Sequence, residues 1–280
     1  MINTIVNDFI FRHRRSFILL TGLLNLLILW YNFVNYRKED IMKIYYVFHS
    51  CFVVETESSF LLFDYYKTKK DKNQDFDFNE LLTTILKSNK NLYVFSSHSH
   101  QDHFNSQILS WVIEKENIYY ILSNDIKLYD SIKNIYTVTQ NENFALNNLN
   151  ISTFGSTDAG VSFLINVDGT NIFHAGDLNW WKWPDDTPEE EKEMEDAFKA
   201  VIKDVVKTNA MIDIAFFPVD PRLEDNYLCG GQYFIEKLNP KIFIPMHFWG
   251  SFKTTADFKY SQENTETEIL KISHSNQTLM

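Results

Sequence analysis

The apolar positions along the chain fall into one long uninterrupted run and a series of short periodic groups. The long run spans residues 16–34 (SFILLTGLLNLLILWYNFV) and is flanked by Arg14 and Arg15 on one side and Arg37 and Lys38 on the other. Nineteen such residues roughly match the minimum for crossing a bilayer. The run predicts an N-terminal hydrophobic helix over residues 1–41, to be used as a membrane anchor or an interfacial helix. Asn25 and Asn32 weaken a spanning role, while Trp30 and Tyr31 suit an interface. No small-x-small pattern follows, which disfavours a cleaved signal peptide. The segment leaves the protein either cytoplasmic or membrane-anchored by a single helix. A globular domain is expected over residues 42–280.

From Met42 onward the groups are short. Ile44–Glu55 and Ser59–Tyr66 are rich in Tyr, Val and Phe, and Thr56–Ser58 separates them, which predicts two strands of a β-hairpin. Phe78–Lys87 has helical spacing, and Leu92–Phe95 reads as a buried strand. Further strands are expected at Ile118–Leu122, Ile151–Phe154, Ser162–Val167 and Asn171–Phe173, with Asp168-Gly169 as a tight turn between the last two. Thr187-Pro188-Glu189-Glu190 has the form of a capping box with proline at the first helical position. Met194, Phe198, Val201, Ile202 and Val205 then mark one apolar helical face. Asp213–Pro218 and Lys241–Pro245 read as buried strands, with a helix at Gly231–Leu238 between them. Early strands followed by βα alternation suggest a layered α/β sandwich.

Charge narrows the partners. The 280-residue chain carries 26 basic and 37 acidic residues, a net charge of −11. From Met42 onward the balance is 21 to 34. Such a surface repels a phosphate backbone, so nucleic acid is disfavoured and a small-molecule substrate is expected. A bound metal can still reverse the local field and admit a small anion. Cys51 and Cys229 are too few for a disulfide framework and read better as buried free thiols than as one bridge.

The chemistry is concentrated in Ser97-His98-Ser99-His100-Gln101-Asp102-His103, directly after the strand LYVF. Three of the eight histidines lie within six positions. In an extended segment His98 and His100 share a face and can share one ion. Where the chain then bends, Asp102 and His103 can turn to a second. Imidazole with carboxylate suits borderline divalent metals such as zinc.

H-x-H-x-D-H after a short strand resembles the signature of the metallo-β-lactamase superfamily. His174-Ala175-Gly176-Asp177, Pro245-Met246-His247 and Phe63-Asp64 resemble three further elements of that family, in its order. The resemblance implies a four-layer αβ/βα sandwich and two divalent metal ions. It places His98 and His100 on the first metal, and Asp102, His103 and His247 on the second. Asp177 bridges the two, and Asp64 supports the site. Taken singly, Asp177 also suits a turn cap and His247 a packed side chain. His174 suits a structural role, and His49 a place in the core. The run HAGDLNWW, DIAFFPVDPR and IPMHFW is similar to a lactonase-like branch of the superfamily.

One departure stands out. The family supplies a further histidine to the first metal, yet no histidine occurs between Phe104 and Phe173. Asp158, in Gly155-Ser156-Thr157-Asp158-Ala159-Gly160, is the natural replacement, with a turn residue as the alternative. A carboxylate there shifts preference toward manganese or iron, with zinc still suitable. The implied reaction is hydrolysis of an ester, lactone, amide or phosphodiester by a metal-activated water, which Asp102 orients. Trp180, Trp181 and Trp183 read either as a substrate wall with Lys182 pairing an anionic group, or as packing of the following helix. The alternatives are an iron-dependent redox protein on the same fold and a metal-binding protein without catalysis.

Overall fold

The computed structural model describes residues 42–66, 73–128, 132–262 and 265–280. Among these, fourteen strands build two seven-stranded sheets. The first contains β1 (Lys43–Phe48), β2 (Cys51–Glu55), β3 (Ser59–Phe63), β4 (Asn91–Ser96), β5 (Ile118–Ser123) and β6 (Ile135–Val138), with β14 (Gln277–Thr278) on the β1 edge. The second runs β7 (Asn143–Leu146), β8 (Leu149–Phe154), β9 (Ser162–Val167), β10 (Thr170–His174), β11 (Ile214–Pro218), β12 (Ile242–Met246) and β13 (Glu268–Ile269). Both are mixed. Pairing is antiparallel through β1–β3 and parallel from β3 to β6, antiparallel through β7–β10 and parallel from β10 to β13.

Alternation along the strands explains the layering. Phe52 and Phe63 point inward and meet Phe216 and His174 of the other sheet, with ring centroids 4.4 and 4.8 Å apart. Phe95 likewise meets Phe163 at 5.3 Å. Their neighbours point outward and are covered by helices. Val53, Leu62 and Val94 pack with Ile85 of α1 (Phe78–Lys87) and with Trp111 of a 3-10 helix at Ser106–Ile113. On the second sheet Phe173 and Phe217 stack on Phe234 of α3 (Cys229–Leu238). Phe198 of α2 (Pro188–Val206) covers Phe217, and Phe258 of α4 (Phe252–Ser261) covers Phe243. Helix, sheet, sheet, helix: this is the α/β sandwich the pattern implied.

The Thr187–Glu190 capping box forms at the start of α2, and Asp168 and Gly169 both take the positive φ of a tight hairpin turn. The segment Ile44–Glu55 is not one strand. It breaks at His49-Ser50 into β1 and β2, which pair with each other, and His49 has φ 56°. No glycine, proline or asparagine marks that turn, so periodicity alone reads through it. Strands β6 and β7 have four residues each and are half-exposed, too short to show a period. Cys51 and Cys229 are both free; Cys51 is buried, and Cys229 is only half-buried. The expected hydrophobic helix, with its membrane attachment through residues 16–34, lies outside the described residues. Among the described residues no helix is long and apolar enough to cross a membrane.

Candidate metal centre

The parallel strands deliver the site. Asp64 follows β3 and the His98–His103 segment follows β4, its parallel neighbour. Asp177, Asp220 and His247 follow β10, β11 and β12, three strands in parallel register. Carboxyl ends of adjacent parallel strands lie side by side, so residues far apart in sequence meet at one edge. The β8–β9 loop adds Asp158, and the turn between β1 and β2 adds His49.

Asp177 sits at the centre. Its Oδ1 lies 3.1 Å from His103 Nε2 and 3.3 Å from His247 Nε2, while its Oδ2 lies 3.3 Å from His98 Nε2. The carboxylate therefore faces one set of imidazoles with each oxygen. On the first side His100 Nδ1 is 2.9 Å from His98 Nε2 and 4.0 Å from Asp158 Oδ2. On the second side Asp102 Oδ2 is 3.6 Å from His103 Nε2 and 3.2 Å from His49 Nε2. His98, His103, His247 and Asp177 are buried, whereas His100 and Asp158 are about half exposed. The first side is the open one.

Three of the buried imidazoles are held by their other nitrogen. His103 Nδ1 pairs with Asp64 Oδ2 at 2.7 Å, His247 Nδ1 with Asp220 Oδ2 at 2.9 Å, and His98 Nδ1 with Ser97 Oγ at 2.9 Å. Anchored in this way, the Nε2 atoms turn toward Asp177, as ligands supported from behind do. Asp64 also accepts from Ser97 N and Ser97 Oγ, both at 2.8 Å. His174 is different: its Nε2 faces Ser50 O at 3.2 Å, its Nδ1 accepts from Gly176 N, and its ring stacks on Phe63. It props the two sheets.

The backbone is forced at the same place. His49, Asp64, His247 and Trp249 all have positive φ. Such a cluster of sparsely populated conformations is characteristic of functional sites. Gly160 (φ 69°) and Gly176 (φ 55°) both pack on Ser97; a Cβ on Gly160 would lie 1.9 Å from Ser97 O. These glycines let the loops close over the strand that carries the histidines.

Charge is unbalanced. Burial disfavours the ionised forms of Asp64 and Asp177, yet the neighbouring imidazoles outweigh it and hold both carboxyls below the usual range. Burial raises Asp102 too, and the nearby imidazoles of His49 and His103 outweigh it, leaving this carboxyl lowered likewise. Burial opposes protonation of His103, but Asp177, Asp64 and Asp102 push it up to about 9. Burial carries His49 the other way, down to about 3, against the pull of Asp102. His49 is therefore neutral at pH 7, its lone pair available. The carboxylates call for cations.

The donors fit divalent metal. His49 Nε2, His103 Nε2, His247 Nε2 and Asp177 Oδ1 are buried without a hydrogen-bond partner, each a cost of about 1–3 kcal/mol if left so. A tetrahedral ion with bonds of about 2.0–2.1 Å holds its donors roughly 3.3 Å apart. The contacts around Asp177 have that spacing. Three groups of donor atoms fall within 4.8 Å of one another: His98, His103 and Asp177; His100, Asp158 and Asp177; and His49, Asp102, His103 and His247.

All seven residues that the sequence singled out (His98, His100, Asp102, His103, Asp158, Asp177 and His247) meet here. His49, read from the sequence as suiting the core, is buried but belongs to this cluster: its ring lies 4.2 Å from that of His247 and 4.0 Å from that of Trp249. Asp220 and Arg222 also escaped the sequence reading. A strand ending DIAFFPVDPR, parallel to the two strands that end in Asp177 and His247, was the available signal. The tryptophans divide. Trp180 packs against Phe198 and Tyr233, while Trp181 and Trp183 line a cleft of about 250 Å³ beside Asp177 and His247. Lys182 faces Glu191 at 3.2 Å rather than this cleft, correcting its expected role.

Comparison with known proteins agrees with this geometry. A family profile described as the β-lactamase superfamily domain matches residues 43–192. No curated protein sequence matches. Similar solved structures include Igni18, a metallo hydrolase from the archaeon Ignicoccus hospitalis, at TM-score 0.59 and 15% identity, covering 85% of this chain and 97% of that one. An isothiocyanate hydrolase from Delia radicum gut bacteria has TM-score 0.52 and 14% identity over 85% and 99%. CmlA, a diiron β-hydroxylase from Streptomyces venezuelae, has TM-score 0.58 and 11% identity; 85% of this chain spans about half (54%) of CmlA. With the profile covering more than half of the chain and two seven-stranded sheets packed between helices, the protein belongs to the metallo-β-lactamase superfamily.

Proposed function

We propose that the protein is a metal-dependent hydrolase of a small-molecule ester, lactone, amide or phosphodiester. The observation that carries this reading is the division of Asp177, one oxygen toward His98 and the other toward His103 and His247. His98, His100 and Asp158 would hold one ion, and Asp102, His103 and His247 the other, with Asp177 between them and His49 a further donor on the second side. Zinc suits the imidazoles, and the carboxylate at Asp158 also admits manganese or iron. Two divalent ions, when bound, supply Lewis acidity and a water of lowered pKa. The chain does the rest. Ser97, Asp64 and Asp220 orient the imidazoles. Asp102, held ionised, offers a carboxylate oxygen to align the attacking water. Trp181 and Trp183 keep solvent from one flank.

Elemental analysis of the purified chain, with turnover of chromogenic ester and phosphodiester substrates before and after chelation, tests this reading. Two equivalents of metal and chelator-sensitive turnover are expected. Asp177→Ala and His100→Ala should each abolish that turnover while circular dichroism shows an intact fold. Wild-type turnover in either variant refutes the assignment. A redox reading has one observation behind it, the carboxylate in place of an imidazole at Asp158, and CmlA shows the fold in a diiron enzyme. Oxygen consumption by the iron-loaded protein, with no chelator-sensitive hydrolysis, would favour it.

A further inference from the structure

Among the described residues, Arg222 is the one arginine or lysine that lines the cleft beside the metal centre, and its spacing in the chain pointed to no role. It follows Asp220 just beyond β11, in a 3-10 turn at Pro221–Asn226, and its own backbone N–H donates to the capping Asp220 carboxylate. Arg222 Nε donates to both Asp220 oxygens at 3.0 and 2.9 Å, and Nη2 donates to Oδ2 at 2.5 Å. The same Oδ2 accepts from His247 Nδ1. One edge of the guanidinium is thus pinned to the carboxylate that orients a candidate ligand.

The rest of the group faces the cleft. Arg222 is half exposed and lines the cavity with Thr157, Asp158, Asp177, Trp181 and Trp183. Its guanidinium lies 5.5 Å from the centre of the Trp183 ring. Trp183 in turn stacks on Trp181, centroids 5.8 Å apart and 7° from parallel, and Trp181 Nε1 donates to Asp177 O at 2.9 Å. The tryptophans and the pinned edge fix the guanidinium plane, and among the described residues Nη1 has no hydrogen-bond partner. A guanidinium fixed in this way presents a planar pair of N–H donors, the geometry that oxyanions match. The lining carries Asp158 and Asp177, so an anionic substrate needs a compensating cation at the rim. Neutralising Asp220 alone would not require a side chain stacked on the wall of the cleft.

We infer that Arg222 binds an anionic group of the substrate, a carboxylate or a phosphate, while an apolar part of the same molecule lies along Trp181 and Trp183. The inference rests on the hydrolase reading for the reaction, though the binding of an anion does not depend on turnover. Tryptophan fluorescence of the metal-loaded chain, titrated with benzoate, phenylphosphonate and benzyl alcohol, reads it directly. At least one of the two anions should bind tenfold or more tightly than the alcohol, and which of them does so separates carboxylate from phosphate. Arg222→Gln should cut that preference about tenfold with metal content unchanged, and Arg222→Lys should restore part of it. Equal binding of all three probes, or a preference that survives in Arg222→Gln, overturns the inference. So does loss of metal from that variant, which would give Arg222 only the task of holding His247. A kinetic arm compares mono-4-nitrophenyl glutarate with 4-nitrophenyl acetate. The ratio of kcat/KM should fall about tenfold in Arg222→Gln, chiefly through KM. No turnover of either ester alongside intact anion preference would sink the hydrolase reading alone; turnover without anion preference would sink this one alone.

Discussion

Replacing Asp64 with asparagine changes one atom and reaches the metal centre without touching it. The carboxylate accepts three hydrogen bonds: from Ser97 N to Oδ1, and from Ser97 Oγ and His103 Nδ1 to Oδ2. Asparagine tolerates the positive φ at this position and keeps the first bond. At the second oxygen it presents an N–H₂ group to two donors. The Ser97 hydroxyl can rotate and accept. The His103 ring can accept only by moving its proton to Nε2, the atom aimed at Asp177. A metal on Nε2 leaves the ring's proton on Nδ1, where the asparagine offers no acceptor. Changes of this kind behind a ligand typically cost 10–100-fold in metal affinity, about 1.4–2.7 kcal/mol. The mismatched buried pair adds about 1–3 kcal/mol of lost stability in the metal-free protein. Competition of the metal-free variant with a chromophoric chelator measures the first, and urea unfolding the second. The second ion should weaken and the first should not. Unchanged affinity for both ions would refute the tautomer argument, and equal weakening would show that Asp64 acts on the loop as a whole.

Three further outcomes follow from the geometry. Asp158→Ala should remove one equivalent of metal, from the open side, in elemental analysis; unchanged stoichiometry would return Asp158 to the role of a turn residue. His49→Asn, which the positive φ at that turn accommodates, should weaken the second ion at least tenfold; a loss of stability with metal affinity intact would make His49 a packing residue. Asp168→Asn keeps the tight turn but removes the charge that accepts from Ser58 N and Ser58 Oγ. Burial raises the Asp168 carboxyl, and the hydrogen bonds from Thr56 and Ser58 more than offset it, leaving the pKa lowered. Its contribution, roughly 0.5–1 kcal/mol for so exposed a group, is therefore complete above about pH 4 and fades as pH falls through the folded value. Urea midpoints of the two proteins should differ at pH 7 and converge as pH falls through the folded value; a constant gap would refute the linkage.

Much of the sandwich was legible because its strands alternate or run apolar over five or six residues between clear turn signals. The capping box at Thr187 and the turn at Asp168-Gly169 form as local chemistry dictates. The misreadings share a cause. The break at His49-Ser50 has only Ser50 as a turn former, and it is held by what packs on it: His49 N donates to Tyr46 Oη, and the His49 ring lies between His247 and Trp249. Strands β6 and β7 are too short to carry a period of their own, and pairing with β5 and β8 sets their bounds.

Sequence alone determined what is local: the His98/His100 and Asp102/His103 pairs beside a strand, the Asp-Gly turn, the caps and the alternation that buries one face of each sheet. It could also name candidate donors, because a run such as His98–His103 carries its chemistry within one turn of chain. Only the tertiary structure decided which of the remaining groups join them. His49, Asp220 and Arg222 lie tens to hundreds of residues from the motif. They reach it because parallel strands place their carboxyl ends side by side and because two sheets face each other across an aromatic core. It also decided that Lys182 pairs with Glu191 while Arg222 faces the cleft. Which cation lines a cavity depends on where loops leave the strands, and no spacing rule within the chain encodes that.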